Sequence, residues 1–218
     1  MLEPIIYYLS NLSGKDLDYF LSIGFYRMGQ GIYSTHNVFM QDQFFEVSWI
    51  RYFIPSVVFS KSMYKILRNN NRFSTQIKPL IITAEIENLY SIYKSALDFD
   101  PAISVTHWLM EEQSHNIFDT YMIEVRDKDI LIAVGIFDKG KTGIAGIMNF
   151  YHPEYKKFSP GKYLMLAKLQ YASTMGMLWY YPGYIVKGYL KFDYKLFMGV
   201  ASATIYLPEK NVWIPYTR

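Results

Sequence analysis

Cysteine is absent from the 218 residues, which excludes disulfides, thiolate metal sites and a cysteine nucleophile. Long apolar runs are missing too. The longest, such as ILIAVGIF, fall well below the ~18 residues needed to cross a bilayer. The N-terminus, MLEPIIYYLS, carries Glu3 and Pro4 where a signal peptide wants basic residues and then an apolar stretch. Together these absences predict a soluble, cytoplasmic protein with no membrane partner. Charge of one sign is also scarce. The 22 Lys and Arg against 19 Asp and Glu leave a formal charge of +3, so a nucleic-acid partner must be argued from where the charges sit. His36, His107, His115 and His152 share no helical metal spacing. Glu112-x-x-His115 has the spacing of di-iron helices but lacks the second copy they require. No metal is expected.

What is present is apolar and aromatic. With 51% hydrophobic and 19% charged residues, the chain can bury a core and is not disordered. Its length suits one large domain or two small ones sharing an interface. A codon-biased genome explains the 21 tyrosines more economically than a base-stacking surface does.

Periodicity divides the chain. GKDLDYFLSIG (14–24) reads as an amphipathic helix before the glycine-punctuated turn YRMGQGIY, and 32–54 reads as strands. From Ser60 the pattern is helical, with Lys61, Lys65, Arg68 and Arg72 at i, i+4, i+7 and i+11 on one face. Met63, Ile66 and Leu67 lie off that face, and the NNN at 69–71 reads as a fraying end. Lys78-Pro79 marks a boundary, since proline biases its predecessor away from helix. A helix opens near Thr83 with Glu85 and Glu87 in its first turn, and THWLMEEQSHNIF suggests another. Residues 120–152 then read as strand, DKD turn, strand, DKGKTG turn, strand: an antiparallel meander. The helix that follows has Ser159 as its cap, Pro160 in its first position and Gly176 at its end. A strand at MLWYY leads to Pro182-Gly183. The expected class is α/β (α+β), with a small N-terminal region over 1–79 and a main domain over 80–218.

Meander, loop, helix and further strand resemble the core of acetyl-coenzyme A N-acetyltransferases, which implies a largely antiparallel mixed sheet flanked by helices. Only Gly161 stands where that family shows several glycines. A closer resemblance spreads over five blocks in order: GFYRMGQGIYSTHN (24–37), SKSMYKILRNN (60–70), LIAVGIFD (131–138), FYHPEYKKFSPGKY (150–163) and WYYPGYIVKGYLKFDYKLF (179–197). Together they are similar to the arginyl-tRNA–protein transferases and their bacterial leucyl-transferring relatives. The resemblance implies transfer of an arginine or leucine from charged tRNA to the α-amine of proteins beginning with Asp or Glu. Charged tRNA would be co-substrate, acidic N-termini the other partner, and no separate cofactor would be needed. Two departures stand out. The family's N-terminal cysteines are missing, with Asn37 where the first is expected, so no metal, cluster or haem role of those cysteines can operate here. An Arg-His pair expected after LYSIYK is replaced by SALDFD. These losses leave a non-catalytic tRNA- or peptide-binding relative as one alternative, and the acetyltransferase-like fold alone leaves a coenzyme A-dependent acyltransferase as another.

Ester aminolysis is downhill and needs positioning above all, so no triad is expected. The residues implied are Asp138, orienting or accepting the proton of the amine, with Tyr184 and Lys195. Lys195 would pair with the acidic side chain or the tRNA. Ser159, Gly161, Lys162 and Tyr163 would form a substrate-binding helix start, where a glycine admits close approach and a lysine suits the terminal phosphate. Tyr194 would stack on the terminal adenine. Lys61, Lys65, Arg68 and Arg72 would contact the tRNA backbone. The notch between the Asp138 strand and the Pro160 helix is the expected docking place.

Overall fold

Residues of alternating apolarity pair into a main sheet of nine strands and a small one of three. The computed structural model describes residues 4–40, 42–98, 101–111 and 113–217; the readings at Glu3 and Glu112 lie outside them. The chain opens with β1 (Ile5–Tyr7), α1 (Gly14–Ser22) and the hairpin of β2 (Tyr26–Met28) and β3 (Gly31–Ser34). Strands β4 (Asn37–Met40) and β5 (Gln43–Phe53), α2 (Lys61–Asn70), β6 (Ser74–Pro79), α3 (Ala84–Ser95) and α4 (Val105–Met110) follow. Next come the meander of β7 (Thr120–Asp127), β8 (Ile130–Lys139) and β9 (Gly143–Tyr151), then α5 (Pro160–Thr174) and β10 (Trp179–Val186). The last strands are β11 (Ala203–Leu207) and β12 (Val212–Pro215).

The main sheet has the order β12-β11-β5-β10-β9-β8-β7-β6, with β4 paired to β5; β1, β3 and β2 form a separate small sheet. All these pairings are antiparallel except β9 with β10. The expected boundary at Lys78-Pro79 falls at the end of β6, where Pro79 pairs with Tyr121 of β7; proline is tolerated there because β6 is an edge strand. On the other side β5, from the N-terminal region, lies between β11 and β10. Strands from both sides of residue 79 therefore share one sheet.

Two layers cover the meander. Ile123, Val125, Ala133 and Phe137 pack with Leu164, Met165 and Leu169 of α5. Met122, Val134, Ile136 and Phe150 pack with Ile86, Leu89 and Tyr90 of α3 and Leu109 of α4. Successive strand side chains point to opposite faces, so one meander serves both clusters. Helix α2 rests on α5 through buried Met63 and partly buried Ile66 and Leu67.

Several local expectations change. The fraying end at 69–71 is instead pinned: Asn70 is buried, and its Nδ2 donates to the carbonyls of Ile66 and Phe158, each at 2.9 Å. Ser159 precedes α5 in the left-handed region (φ 56) and makes no side-chain cap. The turn at Gly29 closes the β2–β3 hairpin, and only glycine fits it. Its φ is +57, and a Cβ there would collide with the Glu111 carboxylate, which accepts from the Gln30 N–H at 3.0 Å.

Candidate functional site

The one pairing of parallel strands among the described residues opens the site. Strand β10 pairs with β9 only at Trp179–Gly143, Tyr180–Ile144 and Tyr181–Ala145. Beyond that point β9 continues to Tyr151, while a bulge between Tyr180 and Gly183 turns β10 wholly onto β5. The two strands part like a V. A cavity of about 560 Å³ fills the opening, bounded by Gly146, Ile147 and Asn149 on one arm and by Tyr180, Pro182, Gly183 and Tyr184 on the other. A second cavity of about 300 Å³, lined by Tyr90, Tyr93, Trp108, Met148 and Phe150 among others, shares Trp108 and Asn149 with the first. Among the described residues, no Asp or Glu lines either cavity.

Aromatic rings build the β5–β10 wall. Tyr26 stacks on Trp49 with ring centroids 4.0 Å apart, Tyr184 meets Trp49 edge-on at 5.1 Å, and Phe192 stacks on Tyr184 at 5.5 Å. The polar ends are bonded to backbone: Trp49 Nε1 donates to the Thr35 carbonyl and the Tyr26 hydroxyl to the Ile50 carbonyl. Burial holds the Tyr26, Tyr184 and Tyr194 phenols above their ordinary value, so they stay neutral. Lys195 stands on the short helical segment Leu190–Met198, inside a box of Tyr184, Phe192 and Tyr194 rings, 4.9, 4.9 and 5.9 Å from Nζ. Its Nζ donates to the Tyr184 carbonyl at 2.7 Å, and burial lowers its pKa to about 7. Gly183, at φ +102, makes room: a Cβ there would lie 3.4 Å from Lys195 Nζ.

Tyr184, Tyr194 and Lys195, expected from the sequence, thus line one cavity. Asp138 does not. It is 0% exposed, and Oδ1 accepts from Arg27 Nη1 at 2.9 Å and from the Thr120 hydroxyl at 2.6 Å. Burial pushes this carboxyl up against the pull of Arg27 and Thr120. Arg27 borders the cavity, but all five of its N–H groups are spent. Nε donates to the Gly29 carbonyl, Nη1 to Asp138 and Thr120, and Nη2 to the Leu109 carbonyl and Asn116 Oδ1. The pair is a brace joining β2 to β7 and β8, and a proton-handling role for Asp138 has no access to the amine.

The expected notch between the Asp138 strand and α5 is likewise filled core. Lys168 of α5 is 0% exposed within it. Its Nζ donates to the carbonyls of Ile136 (2.7 Å) and Met148 (3.1 Å) and to Asn149 Oδ1 (2.9 Å). A bulge places Ile147 between residues paired with Ile136 and Phe137. Burial lowers the Lys168 pKa to about 7. Lys168 and Asn149 were both missed from the sequence. The available signal was a lysine in the middle of LMLAKLQ, a run buried on all sides from Tyr163 to Leu169.

The first turn of α5 lies outside the cavity lining. Tyr163 is buried, and its hydroxyl is 2.8 Å from that of Thr75. A Cβ on Gly161 would meet only Tyr151, at 3.6 Å, so no close approach demands the glycine. Lys162 is exposed, with Nζ 5.6 Å from the Phe197 ring. Lys61, Lys65, Arg68 and Arg72 are all exposed, and Arg72 lies 5.7 Å over Phe158, one residue from Ser159. Among the described residues no group of three His, Asp or Glu side chains could hold a metal, and no helix is long and apolar enough to cross a membrane.

The profile of the arginine-tRNA-protein transferase C terminus matches residues 83–200. An aspartate/glutamate leucyltransferase of Leptospira interrogans (serovar copenhageni) is 25% identical over 209 residues, spanning 93% of this chain and 79% of that protein. That of Hahella chejuensis is 27% identical over 150 residues, 65% of this chain and 62% of its own length. The solved structure of L-PGS from Bacillus licheniformis superposes with a TM-score of 0.47 at 11% identity, covering 82% of this chain and 52% of that one. The chain belongs to the arginine-tRNA-protein transferase family.

Proposed function

We propose that the V-shaped cavity is where an aminoacyl group passes from charged tRNA to the α-amine of a protein beginning with Asp or Glu. The observation that carries this is the cavity's charge: Lys195 is the one lining cation with donors to spare, and no carboxylate opposes it among the described residues. An acidic side chain entering there finds an ammonium partner in a box of rings, where a charge-assisted hydrogen bond is strong. Lys195 then selects the acidic residue while its α-amine, whose ordinary pKa is ~7.7–8.0, attacks without a strong base. Tyr194 and Tyr184 offer ring faces to the terminal adenine.

A basic route supports tRNA as donor. It runs from Lys61, Lys65 and Arg68 on α2, past Arg72 at Phe158, to Lys162 at Phe197 and so to the segment carrying Lys195. The aromatic second cavity, free of carboxylates among the described residues, favours leucine over arginine as cargo, because a buried guanidinium needs an anionic partner. The splayed parallel pair supports an acetyltransferase-like origin for the sheet. The direct test is incubation with leucyl-tRNA or arginyl-tRNA and peptides beginning with Asp, Glu or Ala. Leucine appearing on the Asp and Glu peptides alone is the expected result. Tight tRNA binding with no product would reject transfer, and modification of the peptides by acetyl-coenzyme A alone would replace it.

A further inference from the structure

We infer that Asn149 donates the hydrogen bond that stabilises the oxyanion of the transfer step, and that Lys168, buried behind it, is the positioning residue that aims it. The inference rests on the transfer reading above and names the group that reading leaves out. Three acceptors converge on Lys168 Nζ: two backbone carbonyls and Asn149 Oδ1. In its ammonium form, which prevails below about pH 7, Lys168 has three N–H groups to satisfy them and cannot accept. The amide of Asn149 must therefore face Lys168 with its oxygen, which fixes the flip of the side chain and turns its NH2 the other way. That other side is the cavity. Asn149 lies on β9 beyond the point where β10 departs, and it lines both cavities at their junction. Among the described residues no side chain or carbonyl is hydrogen-bonded to its Nδ2.

The chemistry requires such a donor. The amine nitrogen attacks the ester carbon, a C–N bond forms, and the carbonyl π electrons move onto oxygen. When that oxygen returns its electrons, the C–O bond to the terminal ribose breaks, and the ribose hydroxyl takes the proton that the new ammonium loses. The negative charge is transient, so a preorganised donor acts on the transition state more than on the substrate. A cation on Oδ1 polarises the amide and strengthens its N–H groups as donors, since chained hydrogen bonds reinforce one another. Lys195, on the opposite wall, stays free for the acidic side chain.

Asn149→Asp is the decisive variant. It is isosteric and gives Lys168 a carboxylate partner, so folding is retained, yet it removes both donors. We expect kcat for leucine transfer from leucyl-tRNA to an Asp-initiated peptide to fall about 10²–10³-fold. KM for leucyl-tRNA should stay within about threefold, and Tm at or above the wild-type value. A second readout separates aiming from mere structure: Lys168→Met should lower kcat in the wild-type background but change nothing further in an Asn149→Ala background. A kcat for Asn149→Asp within about threefold of wild type, or a loss confined to KM, overturns the inference while wild-type transfer leaves the function standing. A wild-type protein that transfers nothing overturns both.

Discussion

Lys168 and Lys195 share a chemistry and differ in everything around it. Burial brings both amines down to about 7. Lys168 is sealed between α5 and the meander with three acceptors on its nitrogen. Lys195 borders an open cavity with one acceptor and three ring faces. A shifted pKa alone therefore does not mark a site; spare donors and access to a cavity do. The seam under α5, with Lys168 and the Arg27–Asp138 brace, is where donors are used up, although Asp138 Oδ2 is left without a partner. The slot between β9 and β10 is where they are left over.

The largest effect should come from breaking the sealed side. Asp138→Asn leaves Arg27 buried with no countercharge, a change that costs ~3–5 kcal/mol in comparable buried pairs. Urea denaturation should show that loss of stability. The surviving folded protein should transfer at a rate within about threefold of wild type, since the carboxylate touches no substrate. A hundredfold loss of kcat in fully folded protein would return Asp138 to the reaction and erase the distinction between the two regions.

Lys195→Met should do the reverse. It removes a buried ammonium but keeps the stem against the rings, so stability should not fall below that of the wild type. KM for Asp- and Glu-initiated peptides should rise on the order of 10²-fold, the cost of losing one partner of a desolvated charge pair. Peptides beginning with Ala should be unaffected. An equal loss on all three peptides would mean that Lys195 serves the tRNA and not the acidic side chain.

pH separates the two lysines by a smaller margin. Both folded-state pKa values lie below that of the unfolded chain, ~10.4, so between pH 7 and 10 the unfolded state binds more protons. Stability should therefore rise with pH in that window, by up to ~1.4 kcal/mol per unit for each lysine. Below pH 7 each contributes its full penalty. A bound acidic peptide raises the pKa of Lys195 and abolishes its half of the slope, while the half due to Lys168 persists. Preference for Asp over Ala peptides should decline above about pH 7, as Lys195 loses its charge. The ratio cancels the titration of the attacking amine, so a flat ratio from pH 6 to 9 would contradict the pairing.

The contrast also explains what could be read from the residues in order. Tyr184, Tyr194 and Lys195 lie within twelve consecutive positions, so a local resemblance is enough to gather them. The helix opening near Thr83 and the meander of 120–152 follow from cap and turn residues, such as Thr83, which accepts from the Ile86 N–H. The helix read over 106–118 instead stops at Met110, and Ser159 makes no side-chain cap. The brace was illegible: Arg27 and Asp138 are 111 positions apart, and a carboxylate at a strand end looks the same whether it meets solvent or a guanidinium. The slot was illegible for a related reason. It exists because β10, paired with β5 from Trp179 onward, leaves β9 after three pairs, and no periodicity within β10 reports where that second pairing stops. Ser159 and Gly161 drew notice as a ligand-binding turn, yet they serve the entry into α5 beside the Asn70–Phe158 bond.

The finest test of the open side concerns the route to it. If α2 carries the acceptor stem, replacing exposed Lys65 and Arg68 by Gln should weaken tRNA binding several-fold and lower the salt slope by about 0.7–0.9 per lost contact. kcat at saturating tRNA should not change, because neither residue reaches the cavity. Folding should not change either, since Met63, Ile66 and Leu67 supply the packing on the opposite face. Arg72→Gln is the informative member of the set. Its guanidinium lies over Phe158, where the α2 stripe meets the first turn of α5, so a contact there would be shared between the helix stripe and Lys162. Losing Arg72 should then cost more than losing Lys61 at the far end. Equal losses at both ends would mean that the stem crosses α2 without running along it towards the slot.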